Sequence, residues 1–145
     1  MKDQLRQYLE SLGMTGPLVA RVESVLSLCQ SLCPEEITGI CVSEYYKEDQ
    51  TREYESVWFF SESYGMEAGR FISQDSLDLV PMRKRVVHWV LTKQDYDFET
   101  ATDKSRLRVQ FALGHQLSGS LKASKENCDH LRDIFKRYVV PNVSE

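Results

Sequence analysis

At 145 residues the chain has room for one domain with a hydrophobic core large enough to hold without cross-links. Its 18 Lys and Arg against 22 Asp and Glu give a net charge of −4, which disfavours nonspecific attraction to nucleic acid or an anionic membrane surface. Hydrophobic residues at 41% and charged residues at 28% are ordinary globular usage, and no apolar run approaches the ~20 residues that span a bilayer.

The first stretch, 2–12, reads as a short amphipathic helix with Leu5, Leu9 and Leu12 on one stripe and Gly13 ending it. Thr15-Gly16-Pro17 restarts the chain, since proline suits a first helical turn. The second helix is expected to reach about Leu32, with Leu18, Val22, Val25, Leu26 and Cys29 facing a core, before Pro34 breaks it. Residues 1–34 are thus read as a helical cap, packed on a β domain over 35–145 as one structural unit.

From Ile37 the hydrophobic period changes to two. Ile40 and Val42 alternate with Cys41 and Ser43, and a polar connection over 47–51 leads to a second strand over 52–61. There Tyr54, Ser56, Trp58 and Phe60 share one face, and Val57 and Phe59 the other. A turn at Ser63-Tyr64-Gly65, a third strand over 66–72 and a short fourth over 77–80 follow, with Pro81 closing the fourth. The fifth, 83–92, opens on Arg83-Lys84-Arg85 and continues Val-Val-His-Trp-Val-Leu-Thr. Its β-branched and aromatic residues predict a strand covered on both faces, with His88 as a hydrogen-bonded core histidine. It can extend through Phe98. Residues 106–113 alternate most cleanly, with Leu107, Val109, Phe111 and Leu113 inward. A last strand carries Leu117, Gly119 and Leu121. Ser124 is then a good N-cap for a helix to about Val139, with Cys128, Leu131, Phe135 and Tyr138 as its apolar stripe.

Seven short strands closed by one amphipathic helix resemble a pleckstrin-homology-like (PH-like) domain, in particular the small bacterial forms with a helical segment before the β structure. The resemblance rests on the order of elements over 37–140. It implies an α+β, mainly β, fold: a partly open barrel of about seven antiparallel strands with a C-terminal helix, preceded here by two short helices. Phe135 and Tyr138 stand where eukaryotic members usually carry a tryptophan. Phosphoinositide-binding members are basic around the first hairpin loop; here Glu48 and Asp49 lie between Lys47 and Arg52.

Little in the sequence suggests chemistry. Cys29 and Cys33 are one helical turn apart and could face a metal with Cys128 and His130. The paired spacings of a zinc site are missing, however, and buried thiols are the expectation. Cys128-Asp129-His130 sits on a helix, where residues two apart diverge. Asp95, Asp97 and Glu99 share a strand face but lack the glycine and terminal glutamate of a calcium loop. No glycine-rich phosphate cradle follows a strand. His88, His115 and His130 are scattered. No cofactor and no metal are expected.

The expectation is therefore a noncatalytic interaction module that binds another protein. Met1 to Gln7 lacks the apolar stretch of a signal peptide, which points to the cytoplasm. Arg83, Arg85 and Trp89, joined by Arg106 or Arg108 from the next strand, form the candidate surface for an acidic protein partner. The alternatives are a small anionic ligand or phosphate headgroup held by the basic strand entry, and an enzyme whose site the sequence does not display. An exposed strand edge also leaves a homo-oligomer open.

Overall fold

The structure, a computed structural model, describes residues 2–45, 53–69, 76–97, 102–114 and 117–144. Two helices, α1 (Lys2–Ser11) and α2 (Gly16–Leu32), precede β1 (Gly39–Tyr45), β2 (Glu53–Phe60), β3 (Tyr64–Gly69) and β4 (Ser76–Pro81). Strands β5 (His88–Asp97), β6 (Thr102–Ala112) and β7 (Leu117–Ser124) follow, and α3 (Asn127–Ile134) comes last. The helical path continues from α3 through one π-helical turn, Phe135–Val139, and a 3-10 turn, Val140–Asn142. The first hairpin loop with Lys47, Glu48, Asp49 and Arg52, the acid Glu99 and the turn residue His115 lie outside the described residues.

The fold is α+β. β1-β2-β3-β4 form one antiparallel sheet and β5-β6-β7 another, and among the described residues no backbone ladder closes the two into a barrel. Alternation along β2 explains the layering. Val57 and Phe59 turn to one side of the four-stranded sheet, where they meet Leu5, Leu9, Val22, Leu26 and Cys29 of the N-terminal helices. Trp58 and Phe60 turn to the other side and join Leu107, Val109, Phe111, Leu121 and the α3 residues Leu131 and Ile134. A strand buried on both faces is apolar at every position, which is why Val57 to Phe60 form an unbroken run. No helix of the described residues is long and apolar enough to cross a membrane.

At the β1–β7 corner, side chains do what a ladder would otherwise do. Lys122 N–H donates to Ser43 Oγ at 3.0 Å, and the buried Glu44 carboxylate accepts Ser124 N–H at 3.0 Å, Ser124 Oγ–H at 2.8 Å and Asn127 Nδ2–H at 2.8 Å. Tyr8 brings α1 into this corner. Its hydroxyl donates to Asn127 Oδ1 at 2.7 Å and accepts Val42 N–H at 2.9 Å.

Three local expectations are corrected. Tyr54 does not share the Trp58 face: Ser43 stands opposite Ser56 but Glu44 opposite Tyr54, so Glu55 is an extra residue. The bulge lets Tyr54 pack on the helix-side core, its hydroxyl donating to Leu12 O at 2.9 Å. Ser124 does not cap the last helix; it is the final residue of β7, held by Glu44, and Lys125 turns the chain with φ 51 before α3 begins. Finally, 83–85 is a turn rather than the start of β5, with Lys84 at φ 55. The C-terminal segment holds that turn. Val86 N–H donates to Asn142 O, Ser144 N–H to Val86 O, and Lys84 Nζ to Pro141 O at 3.0 Å.

Candidate functional site

The sheet order leaves β5 with one strand neighbour, β6, and among the described residues no strand lies beyond its other edge. Trp89 stands opposite Phe111, Leu91 opposite Val109 and Lys93 opposite Leu107. Those β6 residues are fully buried, so the odd positions of β5 extend the inner face of the sheet past the point where the core covers it. Val87, Trp89, Val90 and Leu91 are 51, 42, 41 and 37% exposed. This overturns the expectation of a strand covered on both faces, and with it the core histidine: His88 is exposed. Composition reports an apolar strand correctly but cannot report that it lies at a sheet edge.

Trp89 is only partly free. Its indole meets the Phe135 ring edge-on, with centroids 4.8 Å apart at 74°, so a helix-borne aromatic fixes its orientation. β5 thus runs beside the C-terminal helical segment, whose Val143 bridges Val86, and past that bridge no strand among the described residues pairs with its outer edge.

The five residues singled out from sequence fall into separate places. Arg83 and Arg85 are exposed on the turn that precedes β5, at the Trp89 end. Glu35 accepts Ser61 Oγ–H at 2.7 Å and Ser63 N–H at 2.9 Å. Those hydrogen bonds, with a smaller contribution from the Arg83 charge, hold its carboxyl below the usual carboxylate range. Arg106 stands opposite Gln94 and Arg108 opposite Thr92. At ~3.3 Å per residue, Arg106 is ~20 Å along the strand from His88. Arg106 instead joins Lys93, Lys125, Asp129 and Arg132 around a polar cleft of about 310 Å³ at the far end of the sheet. Asp129 and Arg132 pair there at 3.0 Å. Sequence reasoning missed this cleft because its members come from three elements, and only the β5–β6 register and the start of α3 bring them together.

The remaining reactive groups are occupied. Cys29, Cys33, Cys41 and Cys128 are all buried, and none forms a disulfide. Burial pushes the Cys29 thiol up to about 11 and the Cys41 thiol up to about 12, away from the thiolate form a nucleophile or metal ligand needs. Cys29 and Cys33 lie in the core between the helices and the four-stranded sheet, and Cys128 in the other core. Among the described residues no three His, Cys, Asp or Glu side chains converge as metal ligands. The His130 ring stacks on Tyr8 with centroids 4.0 Å apart, and its Nε2–H donates to the Ile40 carbonyl. Burial is the main cause that lowers its pKa.

A second concavity, about 380 Å³ and mostly apolar, lies between α2 and the end of the four-stranded sheet. Val22, Val25, Leu28, Val57 and Leu77 line it. Comparison with protein families, with curated proteins and with solved structures returns no match for this chain.

Proposed function

We propose that this chain is a noncatalytic protein-recognition module of PH-like architecture, working in the cytoplasm, that takes up an extended, acidic segment along β5. One observation carries the reading: beyond the Val86–Val143 bridge no strand among the described residues pairs with the outer edge of β5, and β5 has exposed apolar side chains on both of its faces. An extended segment placed there would hydrogen-bond to backbone groups along that edge, and pockets beside alternate side chains would select its sequence. The basic turn with Arg83 and Arg85 at one end favours acidic residues in that segment. The order of four strands, three strands and a C-terminal helix supports the PH-like architecture, and four cysteines outside any disulfide suit a reducing compartment. Selection from a library of extended peptides tests the reading. The native protein is expected to enrich β-prone, acidic sequences, and Arg83→Glu with Arg85→Glu is expected to lose them with its circular dichroism unchanged. Selection of the same peptides by both proteins would remove the basic turn from the site.

The polar cleft bounded by Lys93, Arg106, Lys125 and Arg132 favours a second reading, a small anionic ligand. Inorganic phosphate or diphosphate that raises the melting temperature of the native protein, but not of Arg132→Ala, would support it. No shift at millimolar phosphate would exclude it.

A further inference from the structure

A third cleft, of about 260 Å³, opens between α1, the start of β1 and the last helical segment. Its floor is apolar and aromatic, with Leu5 and Tyr8 from α1, Ile40 from β1, Ile134 from α3 and Tyr138 from the π-helical turn. Tyr138 lies against β1 because Gly39 has no side chain; a Cβ there would come within 2.5 Å of the ring. Pockets for drug-sized ligands run to ~300–1,000 Å³, so this one suits something smaller.

Two opposite charges, Asp133 and Arg137, stand at the rim. Both are exposed, and among the described residues neither side chain forms an ion pair or a hydrogen bond. On an uninterrupted α-helix an acid and a base four apart would stack and pair. The helix changes between them: Asp133 is in α3, and Arg137 is in the π-helical turn that begins at Phe135. A π turn closes its hydrogen bonds over five residues rather than four, which carries Arg137 off the line of Asp133, and such turns recur at functional sites. The Arg137 guanidinium lies over the Tyr138 ring, 5.1 Å from its centroid, while the Asp133 charge acts on the His130 ring in the wall of the cleft. The rim thus offers one carboxylate and one guanidinium that do not neutralise each other.

A ligand matched to that rim carries a cation and an anion close together, and one matched to the floor carries an apolar group. Asp133 suits an ammonium, and Arg137 with its fork of donors suits a carboxylate. A free α-amino acid bears ammonium, carboxylate and side chain on a single carbon. We propose that this cleft binds a free amino acid with an apolar or aromatic side chain, its ammonium on Asp133, its carboxylate on Arg137 and its side chain on the floor made by Leu5, Ile40 and Ile134. A phosphate or a simple carboxylic acid would set an anion beside Asp133, and a simple amine would set a cation beside Arg137. The proposal stands apart from the β5 reading, since no described residue of β5 lines the cleft.

Thermal denaturation of the native protein with each of the twenty L-amino acids at millimolar concentration tests it. At least one with an apolar or aromatic side chain is expected to raise the melting temperature. Its N-acetyl derivative and its C-terminal amide should each lose that shift, since the first removes the ammonium and the second the carboxylate. These derivatives probe both charges on the native protein, so the outcome does not depend on a variant folding. In titration calorimetry, Asp133→Asn and Arg137→Gln should each weaken binding about tenfold or more, with melting temperatures without ligand close to the native value because both positions are exposed. No shift with any of the twenty overturns the proposal. So does either derivative binding as well as the free amino acid, or an affinity that either folded variant leaves unchanged.

Discussion

Removing one oxygen from Tyr8 tests whether the N-terminal helices belong to the same cooperative unit as the sheets. The hydroxyl sits between Asn127 Oδ1 at 2.7 Å and Val42 N–H at 2.9 Å, so it ties α1 to α3 and β1 at once. Burial raises its pKa well above the ordinary tyrosine value, so it remains a donor over the whole physiological range. Tyr8→Phe keeps the ring and its stacking on His130 but leaves Val42 N–H without this acceptor and Asn127 Oδ1 without this donor. Each buried group left unsatisfied costs ~1–3 kcal/mol. The two share one network and will not add fully, so the expected loss is about 2–4 kcal/mol. Against a total stability of ~5–15 kcal/mol that is a large change. Equilibrium urea unfolding reads it: the midpoint should fall with the slope unchanged, in one transition by both fluorescence and circular dichroism. A loss below ~0.5 kcal/mol would mean that water replaces the hydroxyl and the corner is open. Two separated transitions would mean that α1 and α2 unfold apart from the sheets.

Phe135 is buried against the inner core and braces Trp89, so Phe135→Ala is expected to cost ~3–5 kcal/mol in the same unfolding assay and to change Trp89 fluorescence; unaltered unfolding would make the last helix peripheral. Gly119 faces Phe111 across the β6–β7 pair, and a Cβ there would come within 2.3 Å of that buried ring. Gly119→Ala should therefore cost ~1–3 kcal/mol or more, relieved by Phe111→Leu in the double mutant; a neutral Gly119→Ala would refute the packing. Burial lowers the His130 pKa in the fold below its unfolded value, so the unfolded chain takes up the proton first. Stability should be fully present above about pH 6.5 and decline as pH falls below it towards the folded value, and His130→Gln should flatten that part of the profile. Protein purified without chelator should contain no stoichiometric zinc by elemental analysis, because its cysteines are divided between two cores; bound zinc would overturn that account.

Order and periodicity made most elements legible, and failures came where a neighbour decided the outcome. The β2 run and the alternation of Leu107, Val109 and Phe111 were readable because burial on two faces or one writes itself directly into the hydrophobic pattern. Tyr54 was misplaced because a bulge at Glu55 depends on the pairing of β1 with β2, which neither strand encodes alone. Arg-Lys-Arg does not forbid a strand, so 83–85 reads as the start of β5; what bends it is the C-terminal segment, through Asn142, Val143 and Ser144, more than 50 residues away in sequence.

The misreading of β5 is of a different kind. Val87, Trp89, Val90 and Leu91 have the composition of a strand with neighbours on every side, and the fold leaves them at an edge. Single exposed hydrophobics are ordinary, but four within five residues, above and below one edge strand, form a contiguous patch. Of the strand's polar residues His88, Thr92 and Lys93, only His88 lies within that patch. The pattern is that of an interior strand with its neighbour removed. Composition alone does not distinguish that position from an interior one, because what differs is the absence of a strand beside β5 among the described residues and not the residues of β5 themselves.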